Sequence, residues 1–209
     1  MLRLDHLVVG ARDLEEGRAW MAARLGAAAQ AGGAHPGRGT HNALWRLGAA
    51  YLEVLAPDPD QAEPAGPRMF GLDLPEIRAR IADEPALIAW VAAPDDLDAA
   101  LARGAADFGR AEAMSRGDLS WRLTITETGR PPLDGALPAL IGWPAGVHPA
   151  ERMPEAGLRL ARFTIRAPAP ERVAEALAAL GGDGLAEIAS GPPGLVAEIA
   201  TPAGTVRLD

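Results

Sequence analysis

The sequence has 209 residues, with 20 basic against 28 acidic side chains and a formal net charge of -8. It contains no cysteine, which removes disulfide frameworks, thiolate nucleophiles and cysteine zinc sites. Every basic residue is arginine, so there is no Schiff-base or Walker-type lysine, and the acidic balance predicts no nucleic-acid partner. The opening MLRLDHLVVGARDLEEGRAW carries charges every few positions. It predicts no leader, no spanning helix and no membrane partner, hence a cytoplasmic protein.

The elements repeat along the chain as a strand followed by an amphipathic helix. In the first copy the strand alternates, with Leu4, His6 and Val8 on one face and Leu7 and Val9 on the other. Asp13 reads as the cap of a helix with a Leu14, Met21 and Leu25 stripe, closed by Gly26. Two strands follow, 42–47 and 50–55, joined by a glycine-alanine turn. Residues 57–76 are rich in Pro, Asp and Gly and read as a surface excursion entering a short helix near 75–83. The second copy has a strand over 87–92, a helix from Asp95 or Asp96 to Gly104, and strands near 120–126 and 137–141. The loop 144–157 is long for a compact domain, and such loops often carry function. The third copy has a strand over 160–166, a helix with Val173, Leu177 and Leu180 on one face, and strands over 185–189, 195–200 and 205–208.

This order predicts an α+β protein of repeated β-α-β-β-β units. The expected divisions are a first unit over 1–57, a connecting segment over 58–86, a second unit over 87–157 that pairs with the first, and a third such unit over 158–209. The third would pack on the pair or complete a homodimer through unpaired strand edges.

A β-α-β-β-β unit with His6 on its first strand and Glu53 on its last resembles the vicinal oxygen chelate superfamily, which includes glyoxalase I, extradiol dioxygenases and the bleomycin resistance proteins. The segments LDHLVVGARDLEEGRAW, GTHNALWRLGAAYLEVLAPD and LPALIGWPAGVHP resemble its glyoxalase-like domain proteins. That resemblance implies sheets that form half-barrels around a cleft, with a metal ligand from each first and each fourth strand of a pair. His6 and Glu53 are then the candidate metal ligands, and their donor types suit one divalent Zn, Mn, Fe or Ni ion, or none. The second unit supplies no further ligand: Ile88, Trp90, Leu140 and Gly142 occupy the corresponding places.

Other candidates come from the residues themselves. In PGRGTHNAL, Arg38 and Asn42 are candidates to meet an anion or carbonyl, and His41 to act as a base beside Glu53. Against this, His41 at a strand start can equally face solvent. Trp90, Trp121 and Trp143 are candidate walls for a flat or apolar ligand, with core packing as the alternative, and His148 is a candidate lid histidine. His35 reads as solvated. With three serines and no G-x-S-x-G, covalent catalysis is disfavoured. Two functions follow. One is a metal-dependent lyase, isomerase or dioxygenase acting on a small oxygenated compound. The alternative is a metal-free small-molecule-binding protein resembling the bleomycin resistance proteins.

Overall fold

The computed structural model describes residues 1–209. The first unit runs β1 (Leu2–Gly10), α1 (Leu14–Leu25), β2 (Ala31–His35), β3 (Thr40–Leu47) and β4 (Ala50–Pro57). Helix α1 starts where Asp13 accepts a hydrogen bond from the Glu16 amide at 2.9 Å and stops at Gly26, whose φ of 67° ends the helix in the left-handed region. After the connecting segment and its short helix α2 (Pro75–Arg80), the second unit repeats the order: β5 (Ala86–Pro94), α3 (Leu97–Ala102), β6 (Arg110–Arg116), β7 (Leu119–Ile125) and β8 (Ala139–Gly142).

Both units pair their strands in the same way. The eight-stranded sheet has the order β2-β3-β4-β1-β5-β8-β7-β6, with β1 parallel to β4, β5 parallel to β8, and β1 antiparallel to β5 at the join. The sheet curls until its edge strands β2 and β6 come together. Arg38, in the β2–β3 turn, closes the seam by binding the Glu112 carboxylate and, at 3.2 Å, the Ala113 carbonyl of β6. The salt bridge therefore spans the two units rather than waiting for a ligand anion.

Alternation along the strands divides the apolar side chains between two cores. Val8, Leu55, Val91, Leu123 and Ile141 fill the inside of the curl together with Met69 and Phe70 from the connecting segment. Leu7, Val9, Trp45, Leu52, Trp90 and Leu140 face outward under α1 and the last part of the chain. Each such fully buried aliphatic side chain contributes about 1.5–3 kcal/mol to folding.

The last part consists of β9 (Arg159–Ala167), α5 (Pro170–Ala179), β10 (Glu187–Ser190), β11 (Gly194–Thr201) and β12 (Gly204–Leu208). Its element order is that of the other units, but its pairing is not. Here the sheet order is β10-β9-β11-β12, with β10 parallel to β9 and β11 antiparallel on the other side. It forms a second sheet that lays Phe163, Ile165, Leu195 and Ile199 on the outer core. Trp90 is consumed by this packing. It meets Phe163 edge-on at 5.3 Å and donates from Nε1 to the Ala136 carbonyl, so it is core and lines no cleft. The α+β class and the half-barrel architecture are as expected.

Candidate functional site

The site sits inside the curl, and its position depends on one irregularity in β1. The pairing of β1 with β5 skips a residue between Leu4 and His6, which makes Asp5 the extra residue of a β-bulge. Regular alternation would send Asp5 to the opposite face from His6. The bulge instead turns both side chains toward the interior, and the Asp5 Oδ1 lies 2.7 Å from the His6 Nδ1. Leu4, beyond the bulge, packs with the outer core rather than with Val8.

Strand β4 lies parallel to β1 and presents Tyr51, Glu53 and Leu55 on the same interior side. Glu53 Oε2 is 3.3 Å from the His6 Nε2, and the Tyr51 ring stacks on the imidazole at 4.4 Å and 15°. His6 thus has a carboxylate at each ring nitrogen, an arrangement in which both nitrogens donate and the ring is an imidazolium. Burial opposes that charge, but the hydrogen bonds and charges of Asp5 and Glu53 outweigh it and lift the His6 pKa to about 9. The same contacts act in reverse on the acids. Burial would raise Glu53, yet His6, His35 and Asn42 bring it down to about 2, and His148 and His6 hold Asp5 well below the usual carboxylate range.

Asn42 is inside the curl, but neither end is free. Its amide nitrogen donates to Glu53 Oε1 at 2.5 Å and lies 3.2 Å from the His35 Nε2, while its oxygen accepts from the Gly33 amide at 3.1 Å. It orients Glu53 rather than facing a ligand. His35, read from the sequence as solvated, is buried, with Nδ1 3.0 Å from the Thr40 hydroxyl. Burial lowers its pKa to about 4 and keeps it neutral, which suits an Nε2 that accepts from Asn42. His41, the next residue along β3, points to the opposite face, where its Nδ1 is 3.8 Å from Asp58. It is outside the site, and so is Arg38.

The second unit supplies the facing wall. Trp121, Leu123, Ile141 and Trp143 line a chamber of about 20 Å³ together with His6, Glu53 and Phe70, space for about one water. Trp121 and Trp143 lie 5.1 Å apart and also line a cleft of about 1300 Å³ that opens between the Arg46–Gly48 turn and the 144–151 loop. The two indoles therefore stand between chamber and cleft. Asp5 fixes this partition: its Oδ2 accepts from the Trp143 Nε1 at 2.8 Å and lies 3.2 Å from the His148 Nε2. His148 in turn caps the short helix α4 (Pro149–Arg152), accepting from the Ala150 amide at 3.3 Å. Trp121, Trp143 and His148 thus converge on the cleft, and Asp5, which joins Trp143 and His148 to His6, is the residue of this arrangement that the sequence does not point to. Its only signal was adjacency to His6.

His6 and Glu53 do meet, as a metal pair would. Yet they are two donors on one side of the chamber, and the facing wall adds none. No group of three or more His, Asp or Glu side chains could hold an ion. A zinc-type centre takes at least three protein ligands, so this donor set does not fit one.

A curled sheet of two like units around a chamber floored by a buried histidine and carboxylate is consistent with the vicinal oxygen chelate fold. A family model described as a glyoxalase-like domain matches residues 4–181. The chain belongs to the glyoxalase-like domain family. Comparison with curated proteins finds no significant match. Among solved structures, a hypothetical protein from Staphylococcus aureus is similar over 100% of this chain and 86% of its own, with a TM-score of 0.61 and 12% identity. That likeness extends the shared fold to the second sheet. A methylmalonyl-CoA epimerase in complex with methylmalonyl-CoA and NH4+ covers 71% of this chain and 99% of its own, with a TM-score of 0.47 and 18% identity. The methylmalonyl-CoA epimerase from Mycobacterium tuberculosis covers 66% and 85%, with a TM-score of 0.43 and 22% identity. No helix of this chain is long and apolar enough to cross a membrane.

Proposed function

We propose that this member of the family binds a small, flat organic molecule in the cleft between its two paired units and does so without a protein-held metal. The observation that carries the proposal is the asymmetry of the chamber. Both His6 nitrogens are committed to Asp5 and Glu53, while the opposite wall is indole, aliphatic and, at Arg116, guanidinium, none of them a metal donor. Both imidazole nitrogens are already engaged by carboxylates, and the facing wall offers no further metal donor.

The metal-dependent lyase, isomerase or dioxygenase reading needs a Lewis acid between adjacent substrate oxygens. Glu53 remains the best-placed carboxylate for such chemistry, but its low pKa and two hydrogen bonds make it a weak base. Binding asks less of these groups. The indoles of Trp121 and Trp143 offer flat contact area, His148 lines the entrance, and the charged groups beneath keep the floor rigid.

Elemental analysis after dialysis against Zn, Mn, Fe and Ni tests this reading. The wild type is expected to retain well under one ion per chain, with no difference in Glu53→Ala. One ion per chain in the wild type, lost in Glu53→Ala, would overturn it and restore the metal-dependent reading.

A further inference from the structure

Strand β6 contributes one side chain to the chamber that nothing above uses. Its interior-facing residues are Glu112, Met114 and Arg116, and the first of these is taken by Arg38. Arg116 is only 8% exposed and lines the chamber with His6, Tyr51, Glu53 and Trp121. Its guanidinium makes no hydrogen bond or ion pair with the rest of the chain. No fully buried side-chain nitrogen or oxygen lacks a partner, so the unpartnered Arg116 nitrogens face open space. The guanidinium lies 5.9 Å over the Trp121 ring, and the stem passes 3.4 Å from where a β-carbon on Gly33 would sit.

An arginine cannot shed its charge, and a buried cation without a counter-ion is costly. The buried carboxylates Asp5 and Glu53 are both engaged by His6, and Arg116 makes no hydrogen bond or ion pair with either. A planar fork of N–H donors with no acceptor is the half of a bidentate pair that matches a carboxylate. From this we infer that Arg116 is a ligand-binding residue and that the molecule taken by the cleft carries a single carboxylate, which Arg116 receives.

The inference rests on the binding reading and names the class of its ligand. At about 20 Å³ the chamber must widen even for a carboxylate, so only that end of the molecule reaches Arg116 and the flat body lies against Trp121. Trp143 must swing aside to admit it, and that indole is half-buried and tied through its nitrogen to Asp5 alone. A dianion is disfavoured because the Glu53 carboxylate lines the same chamber.

The test uses benzoate and its neutral isostere benzamide, titrated against the full chain with tryptophan fluorescence as readout. Wild type is expected to bind benzoate at least tenfold more tightly than benzamide, and Arg116→Met to lose that preference. Because the substitution removes an unpaired buried charge, R116M is expected to melt no lower than wild type without ligand. If it does not fold, Arg116→Gln repeats the test with an uncharged side chain that still hydrogen-bonds. Equal affinity of wild type for the two probes would overturn the carboxylate assignment and leave the binding cleft standing. A benzoate preference that survives in the variant would place the carboxylate elsewhere and also overturn it. No binding of either probe would sink both readings.

Discussion

His6 keeps a proton on each ring nitrogen because Asp5 and Glu53 stand at both, and this fixes how stability responds to pH. Between pH 6.5 and about 9 the folded chain holds a His6 proton that the unfolded chain releases, so stability falls as pH rises through that window. His35 acts in the opposite direction. Its pKa drops from 6.5 to about 4, so between those values the unfolded chain takes up a proton that the folded one refuses, and stability falls as pH is lowered. Glu53 adds to the loss below pH 4.5, down to about 2. Melting temperature is therefore expected to peak near pH 6.5. His35→Gln is expected to flatten the limb between pH 6.5 and 4; an unchanged limb would show that His35 does not titrate there. Asp5 binds three donors, from His6, Trp143 and His148, and an amide cannot accept from all of them. Asp5→Asn is expected to cost about 3–5 kcal/mol in urea unfolding, and a loss under 1 kcal/mol would contradict the hub role.

At the scale of elements, the edge strand β2 shows what holds the site together. Gly32 has a φ of 148°, a conformation that L side chains rarely adopt, and an added β-carbon would sit 2.2 Å from the Asn42 carbonyl oxygen. Close approach of β2 to β3 is what lets the Gly33 amide reach Asn42 and brings His35 beside it. Gly32→Ala is expected to destabilise by about 1–3 kcal/mol and to speed amide exchange at Gly33; wild-type exchange at that amide would contradict the close-approach argument. The same strand was illegible in the sequence. AGGAH has neither alternation nor β-branched residues, and pairing with β3 rather than local propensity makes it a strand. Strand β6, RAEAMSR, was missed for the same reason, and Arg116 with it. By contrast, the alternation in β1 and β4 and the caps of α1 place His6 and Glu53 correctly, because those patterns are local. Asp5 was hidden because a bulge reverses a face without leaving a mark in composition. His41 and Trp90 were misplaced because chemistry alone cannot choose the face of a strand.

Across the whole molecule, the two paired units enclose chamber and cleft within one chain, and the second sheet acts as a buttress behind them. Trp90 is the largest side chain at that join, with its ring against Phe163. Trp90→Ala is expected to lower stability by about 3–5 kcal/mol while leaving ligand-induced quenching of Trp121 and Trp143 intact. Loss of quenching in a folded variant would mean that the buttress takes part in binding.

The site turns on what holds His6, because a ring engaged at both nitrogens by Asp5 and Glu53 separates a binding floor from a metal site. Nitrogen-15 NMR of the histidine side chains reads it directly. At pH 7 the His6 ring is expected to show two protonated nitrogens, with titration only near pH 9 and no change on adding zinc. A neutral ring with one bare nitrogen at pH 7, shifted by zinc, would contradict it.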